Sequence, residues 1–220
     1  VTEAAWLNST DPQAMLEFLR ESGKASDRKL RLFACACCSL VWYKVPAKGV
    51  EIALNVAEAL ADKVATPADL GEARGVAAWV KEEMSEIMEY LGEGLEVILQ
   101  SQPMTVADAS RVAERVLGWT TNIRADATPA THSLRRPFRE IPPIVRCYPP
   151  PETSMIAEQA VQCSCLRCLF GPLPFRPIRL DPAWLTPAVS YFAQCIYDER
   201  DFDCSTIMGD ALEEAGCHDA

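Results

Sequence analysis

Apolar residues recur at three- and four-residue spacing through most of the first 120 positions, which predicts a run of amphipathic helices rather than strands. Asp11-Pro12 marks a helix start, with Asp as N-cap and Pro at the first helical position. Met15, Leu16, Phe18 and Leu19 supply its apolar face, and Gly23 ends it. Ser26 or Asp27 opens the next helix. Leu30, Phe33, Ala34, Cys37, Leu40 and Val41 line one side of it, and Pro46 stops it. A third helix is expected from Val50 to Lys63, with Ile52, Val56, Ala59 and Leu60 turned inward. Thr66-Pro67 repeats the cap-plus-proline signal and opens a longer helix. That helix carries Leu70, Ala73, Ala77, Val80, Met84, Ile87 and Leu91 until Gly92 and Gly94 interrupt it. Met104 to Trp119, capped by Thr105, is a further amphipathic candidate.

The periodicity fails over residues 121–152. Prolines at 129, 137, 142, 143, 149, 150 and 151 exclude a long helix there and predict an extended, proline-rich linker. Helical spacing resumes at Ser154, with Ile156, Ala160, Val161, Cys165 and Cys168 on one side and Gly171 as the stop. The stretch PLPFRPIRLDP reads as an extended strap. Thr186-Pro187 then starts a helix with Val189, Phe192, Ala193, Ile196 and Tyr197 inward. Asp203 or Ser205 opens a last helix with Ile207, Met208, Ala211 and Leu212 inward, and Gly216 ends it. The fold class predicted is all-α. It is an irregular multi-helix array with a proline-rich connection and a strap before a C-terminal helix pair. The expected organisation is an N-terminal helical region (1–120), a linker (121–152) and a C-terminal helical module (153–220).

The composition is that of a globular protein: 49% hydrophobic and 24% charged, which argues against global disorder. No run of about 18 apolar residues occurs, so no membrane association is expected. The N-terminus VTEAAWLNSTDPQ has no basic region ahead of an apolar core, and a cytoplasmic location is expected. The net charge of -10 is uneven: +1 over residues 1–44, -7 over 45–122, +4 over 123–180 and -8 over 181–220. Such an acidic chain repels phosphate backbones, so nucleic acid is not an expected partner. The basic stretch holds Arg124, Arg135, Arg136, Arg139, Arg146, Arg167, Arg176 and Arg179. It can neutralise the protein's own acidic helices or meet an acidic surface.

Ten cysteines are many for 220 residues. Without a secretory signal they are expected to be reduced and to behave as small buried apolar groups. The clusters Cys35-Ala-Cys37-Cys38 and Cys163-Ser-Cys165-Leu-Arg-Cys168 raise a second possibility, tetrahedral zinc held by thiolates. Its candidate ligands are Cys163, Cys165 and Cys168, with Cys147 or a distant thiol as the fourth. Paired C-x-x-C knuckles are absent, and both clusters fall within helical patterns. A redox role for Cys165 and Cys168 is opposed by their place near a helix C-terminus, where the dipole disfavours a thiolate. The chain has two histidines, His132 and His218, and no G-x-S-x-G, G-x-x-x-x-G-K-[ST] or G-x-G-x-x-G motif. Glu82, Glu83, Glu86 and Glu89 form a carboxylate row without the Glu-x-x-His partner of a di-metal helix, and so read as a solvated face. The five tryptophans, spread one to a segment, read as core anchors, with Trp184 wedging the strap against the helices.

Several of these segments resemble one family. Thr2-Glu3-Ala4, Trp6-Leu7, Asp11-Pro12, Met15-Leu16-Glu17-Phe18-Leu19 and the run KASDRKLRLFACACC (Lys24 to Cys38) are similar to the opening of a large paralogous family of uncharacterised planctomycete proteins. PFRPIRLDPAWLTP and IYDERDFDCSTIMGDALEEAGC resemble that family's C-terminal module. The resemblance covers roughly the first 60 and last 50 residues. It implies no particular activity. It does imply an accessory or interaction role, because the C-terminal module also occurs attached to different repeat-bearing proteins. Relatives usually continue past the Ala-Gly-Cys, so the resemblance implies either a shortened C-terminus or a different terminal packing.

The function expected is therefore that of a non-enzymatic helical protein acting through an unidentified protein partner, without cofactor. The partner surface would be the acidic C-terminal helix pair or the Arg-rich linker. The alternatives are a zinc-supported domain built on the Cys163/Cys165/Cys168 cluster, or an enzyme whose site no motif reveals. The enzyme alternative requires His132 beside a nucleophile in a concave pocket.

Overall fold

A computed structural model of the chain describes residues 1–44, 49–83, 86–126, 155–171, 175, 180–199 and 203–217. Among these residues it consists of ten α-helices, a single 3-10 turn and no strand. The helices are α1 (Glu3–Asn8), α2 (Pro12–Glu21), α3 (Asp27–Lys44), α4 (Val50–Ala61), α5 (Pro67–Glu83), α6 (Glu86–Ile98), α7 (Val106–Asp126), α8 (Met155–Phe170), α9 (Pro187–Glu199) and α10 (Cys204–Glu214). The all-α multi-helix class is as the periodicity predicts.

The helix starts follow the capping chemistry. The Asp11 carboxylate accepts from the backbone N–H groups of Gln13 (2.9 Å) and Ala14 (3.2 Å). Between Ser26 and Asp27, it is the Ser26 hydroxyl that caps α3, accepting from Lys29 N–H at 3.3 Å. Thr66 with Asp69, and Thr105 with Asp108, form reciprocal capping boxes. Thr186 caps α9 by accepting from Val189 N–H at 3.3 Å. Gly23, Gly171 and Gly216 end their helices at positive φ, where a Cβ would be strained.

The chain divides into two compact units, Val1–Arg176 and Pro177–Ala220. In the first unit α3 is the axis of the core and touches α4, α6, α7 and α8. Every residue from Phe33 to Leu40 is buried, so this stretch of α3 is enclosed on all sides. The small residues of the run Ala34-Cys35-Ala36-Cys37-Cys38-Ser39 let four neighbours approach it closely. Helix α8, which the sequence pattern groups with the C-terminal module, packs on α2, α3 and α7 inside this first unit. Gln162 Nε2 donates to the Ala113 carbonyl at 3.1 Å, and Arg167 donates to Ser9 O at 3.0 Å. Phe175 reaches back to the N-terminus: its ring stacks on Phe18 at 5.2 Å and lies 6.1 Å from Trp6.

Several local expectations are corrected. Ile52 is exposed, and α4 instead buries Val50, Ala53, Leu54, Ala57 and Ala61. Ala53, Ala57 and Ala61 recur every four residues and give a flat stripe for close helix packing. Gly92 and Gly94 lie inside α6 rather than interrupting a helix. They mark close approaches: a Cβ at Gly92 would sit 2.8 Å from Lys81 Cα, and one at Gly94 would sit 3.0 Å from Cys38 Sγ. Ile156 and Cys168 are exposed, while Glu158 and Gln162 are buried, so α8 is rotated from its apolar pattern. Trp6 is a core residue, but Trp79 is 44% exposed and Trp184 half-buried. The side chains of Trp42 and Trp119 lie outside the described residues. Residues 121–126 belong to α7, and the remainder of the expected linker, 127–152, lies outside the described residues together with most of the strap.

Candidate functional site

The metal alternative was the sharpest chemical possibility. Cys163 and Cys165 are buried on α8, whereas Cys168 is exposed at its C-terminal end. Cys163 and Cys168 are five residues apart, which turns their side chains about 140° from each other around the helix. Cys165 lies near enough to Cys37 of α3 to help raise that thiol's pKa. Cys147 lies outside the described residues. Among the described residues no group of three or more His, Cys, Asp or Glu could hold a metal ion.

The buried thiols are chemically quiet. Burial pushes the Cys35 and Cys37 thiols well above their ordinary range, Cys38 up to about 12 and Cys163 up to about 11. A thiol held neutral is a poor nucleophile at neutral pH. In α3 these groups fill space between helices, as small apolar residues do.

A cleft lies over α5, α6 and α7, with a volume of about 210 Å³. Its charged rim is internally paired. Lys81 binds Glu96 at 2.9 Å, Arg115 binds Glu93 at 2.7 Å, and Arg111 binds Asp108 at 3.4 Å. No cysteine, serine, threonine or histidine lines it. His132 and His218 both lie outside the described residues.

A second polar cluster, which sequence periodicity missed, is structural. Arg31 is buried in α3 and is 2% exposed. Its guanidinium donates to the carbonyls of Ile98 (2.6 Å), Gln100 (2.9 Å) and Gln102 (2.8 Å), and pairs with Asp27 at 3.3 Å. Arg74 adds bonds to Leu99 O at 3.0 Å and to Ser101 Oγ at 2.8 Å. Together they satisfy the carbonyls left open at the end of α6. The only sequence signal was an arginine among apolar residues in Leu30-Arg31-Leu32-Phe33, which a helical wheel places at the edge of a face.

The second unit presents a different surface. Helices α9 and α10 pack on one another, joined by residues 200–203. Val189 is buried on α9, but no residue of α10 is buried. The seam residues Phe192, Cys195, Ile196, Cys204, Met208, Ala211 and Leu212 are only half-covered. Tyr191 (64%), Tyr197 (51%) and Ile207 (49%) are exposed, which corrects the expectation that Tyr197 and Ile207 face inward. The described residues of this unit include seven carboxylates and no lysine or arginine. Of the two surfaces expected to meet a partner, this is the one the described residues contain.

These features define an all-α protein with one well-packed helical unit and one thin, acidic helix pair. No family model, curated protein or solved structure matches the chain. No helix among the described residues is long and apolar enough to cross a membrane.

Proposed function

We propose that the protein acts by protein–protein contact through its C-terminal helix pair and has no catalytic role. The observation that carries this reading is the incomplete burial of α9 and α10. A stable helix pair buries an apolar stripe. Here α10 buries no side chain at all, while Tyr191, Tyr197 and Ile207 stand in solvent. A unit of residues 177–220 is close to the size, about 40 residues, below which a core cannot sustain itself. An additional surface laid on the pair would supply the missing burial. The quiet thiols and the internally paired cleft support the non-enzymatic half of the reading.

The test is affinity capture from the source cells with the full chain as bait, comparing wild type with the double variant Tyr191→Ser/Ile207→Ser. A partner retained by wild type and lost by the variant is the expected result. Equal capture by both would remove the helix pair from the interaction.

A further inference from the structure

Helices α9 and α10 are joined by residues 200–203 and pack on one another, so they run antiparallel. Their half-covered residues place the seam near Val189, Phe192 and Ile196 on one helix and near Cys204, Met208 and Ala211 on the other. With 100° per residue and opposite chain directions, Tyr191 and Ile207 fall on the same flank of that seam. Tyr191 already meets Phe192, ring centroids 5.5 Å apart in an edge-on arrangement. Carboxylates border this apolar strip on both sides. Asp198 stands seven residues after Tyr191, and Asp210 and Glu214 stand three and seven residues after Ile207.

We propose that this flank docks a basic amphipathic helix of a partner protein, and the proposal rests on the interaction reading above. The shape argument is that a groove between two antiparallel helices accepts a third helix lying along it. The 13 residues of α9 span about 20 Å, which matches an incoming helix of about 13 to 18 residues. The charge argument selects the chemistry. An apolar stripe flanked by lysine or arginine complements Tyr191 and Ile207 between Asp198, Asp210 and Glu214. A symmetric contact with the same flank of a second copy is disfavoured, because residues 181–220 carry -8 on each copy and would repel.

The probe is a fluorescein-labelled 18-residue peptide of leucine and lysine, with leucine at helical spacing. Two controls accompany it: the same composition scrambled, and glutamate in place of lysine. Fluorescence anisotropy is measured against the full chain. The expected result is saturable binding of the amphipathic lysine peptide that weakens as salt rises. Both controls should bind at least about tenfold more weakly, and Tyr191→Ser/Ile207→Ser should reduce affinity by a similar factor. Asp210→Asn/Glu214→Gln should weaken binding several-fold and flatten the salt dependence. Circular dichroism of each variant confirms that the helices are intact. Equal binding of the scrambled peptide, equal binding of the glutamate peptide, or indifference to the Tyr191/Ile207 change would overturn the proposal. Self-association that is lost in the Tyr191/Ile207 variant would also overturn it, in favour of a second copy. If the lysine peptide fails to bind while a captured partner still depends on Tyr191 and Ile207, the partner chemistry is refuted and the interaction reading stands.

Discussion

Replacing Arg31 by methionine tests whether one buried guanidinium closes the end of α6. The substitution keeps an unbranched apolar stem and removes the guanidinium donors. Ile98 O, held at 2.6 Å in a buried setting, would lose its partner at a cost of about 1–3 kcal/mol. The carbonyls of Gln100 and Gln102 are only part-buried, and water can replace the guanidinium there, at about 0.5–1 kcal/mol each. Asp27 also loses its cation, but it is 37% exposed and keeps the bond it accepts from the Met104 N–H. Partial recovery from burying the methionine stem leaves a net loss of about 2–4 kcal/mol. For a chain of this size that corresponds to a fall in Tm of roughly 4–16 °C. The assay is thermal and urea unfolding followed by circular dichroism. Arg31→Lys provides the geometric control: one ammonium cannot span three carbonyls, so it should recover less than half of the loss. Arg74→Ala, which removes one part-buried and one exposed bond of an exposed side chain, should cost about 1 kcal/mol. Arg31→Met within about 1 kcal/mol of wild type, or full recovery by lysine, would refute the clamp.

Other consequences follow from the core. Gly92→Ala adds a better helix former, yet its Cβ would meet the Lys81 backbone at 2.8 Å, so urea unfolding should show a net loss of about 1–3 kcal/mol. A gain in stability would show that α5 and α6 can move apart freely. Maleimide labelling at pH 8 with peptide mapping should modify exposed Cys168 promptly. Cys35, Cys37, Cys38, Cys163 and Cys165 should react only as the protein unfolds. Labelling of Cys37 or Cys38 at the rate of Cys168 would contradict the enclosed α3. Cys38 is raised from 9.0 to about 12 by burial, so its thiol stays neutral in the folded state while the unfolded thiol ionises. Its contribution is whole below pH 9 and is lost as the pH rises toward 12, at about 1.4 kcal/mol per unit. Urea titrations between pH 9 and 11 should therefore show a shallower decline for Cys38→Ala than for wild type, and parallel declines would count against the argument.

The chain's local code was legible wherever the chemistry is local. Asp11, Thr66, Thr105 and Thr186 cap the helices that their neighbouring sequence announces, because a cap bonds to N–H groups two or three residues away. Gly23, Gly171 and Gly216 stop helices for the same reason: the left-handed turn is a property of one residue. The candidate interaction surface was legible in part. Its acidity can be counted, whereas the exposure of Ile207 and Tyr197 depends on how two helices meet.

The all-α class and most helix starts were thus determined by the sequence alone, but helix number was not: the periodicity predicts eight helices where the described residues form ten, because α1 was missed and the stretch from Thr66 to Leu91 is divided between α5 and α6. Tertiary structure decided which face each helix buries. Ile52 lost to the alanine stripe of α4 because close packing rewards flat surfaces as well as apolar ones. Gln162 is held inside by its Nε2–H donating to Ala113 O, which offsets part of the cost of burying the amide. Arg31 went inside because three carbonyls from residues 98–102 converge on it across nearly 70 positions of chain. No window of neighbouring residues contains that information, since it depends on groups that become neighbours only when the chain has folded.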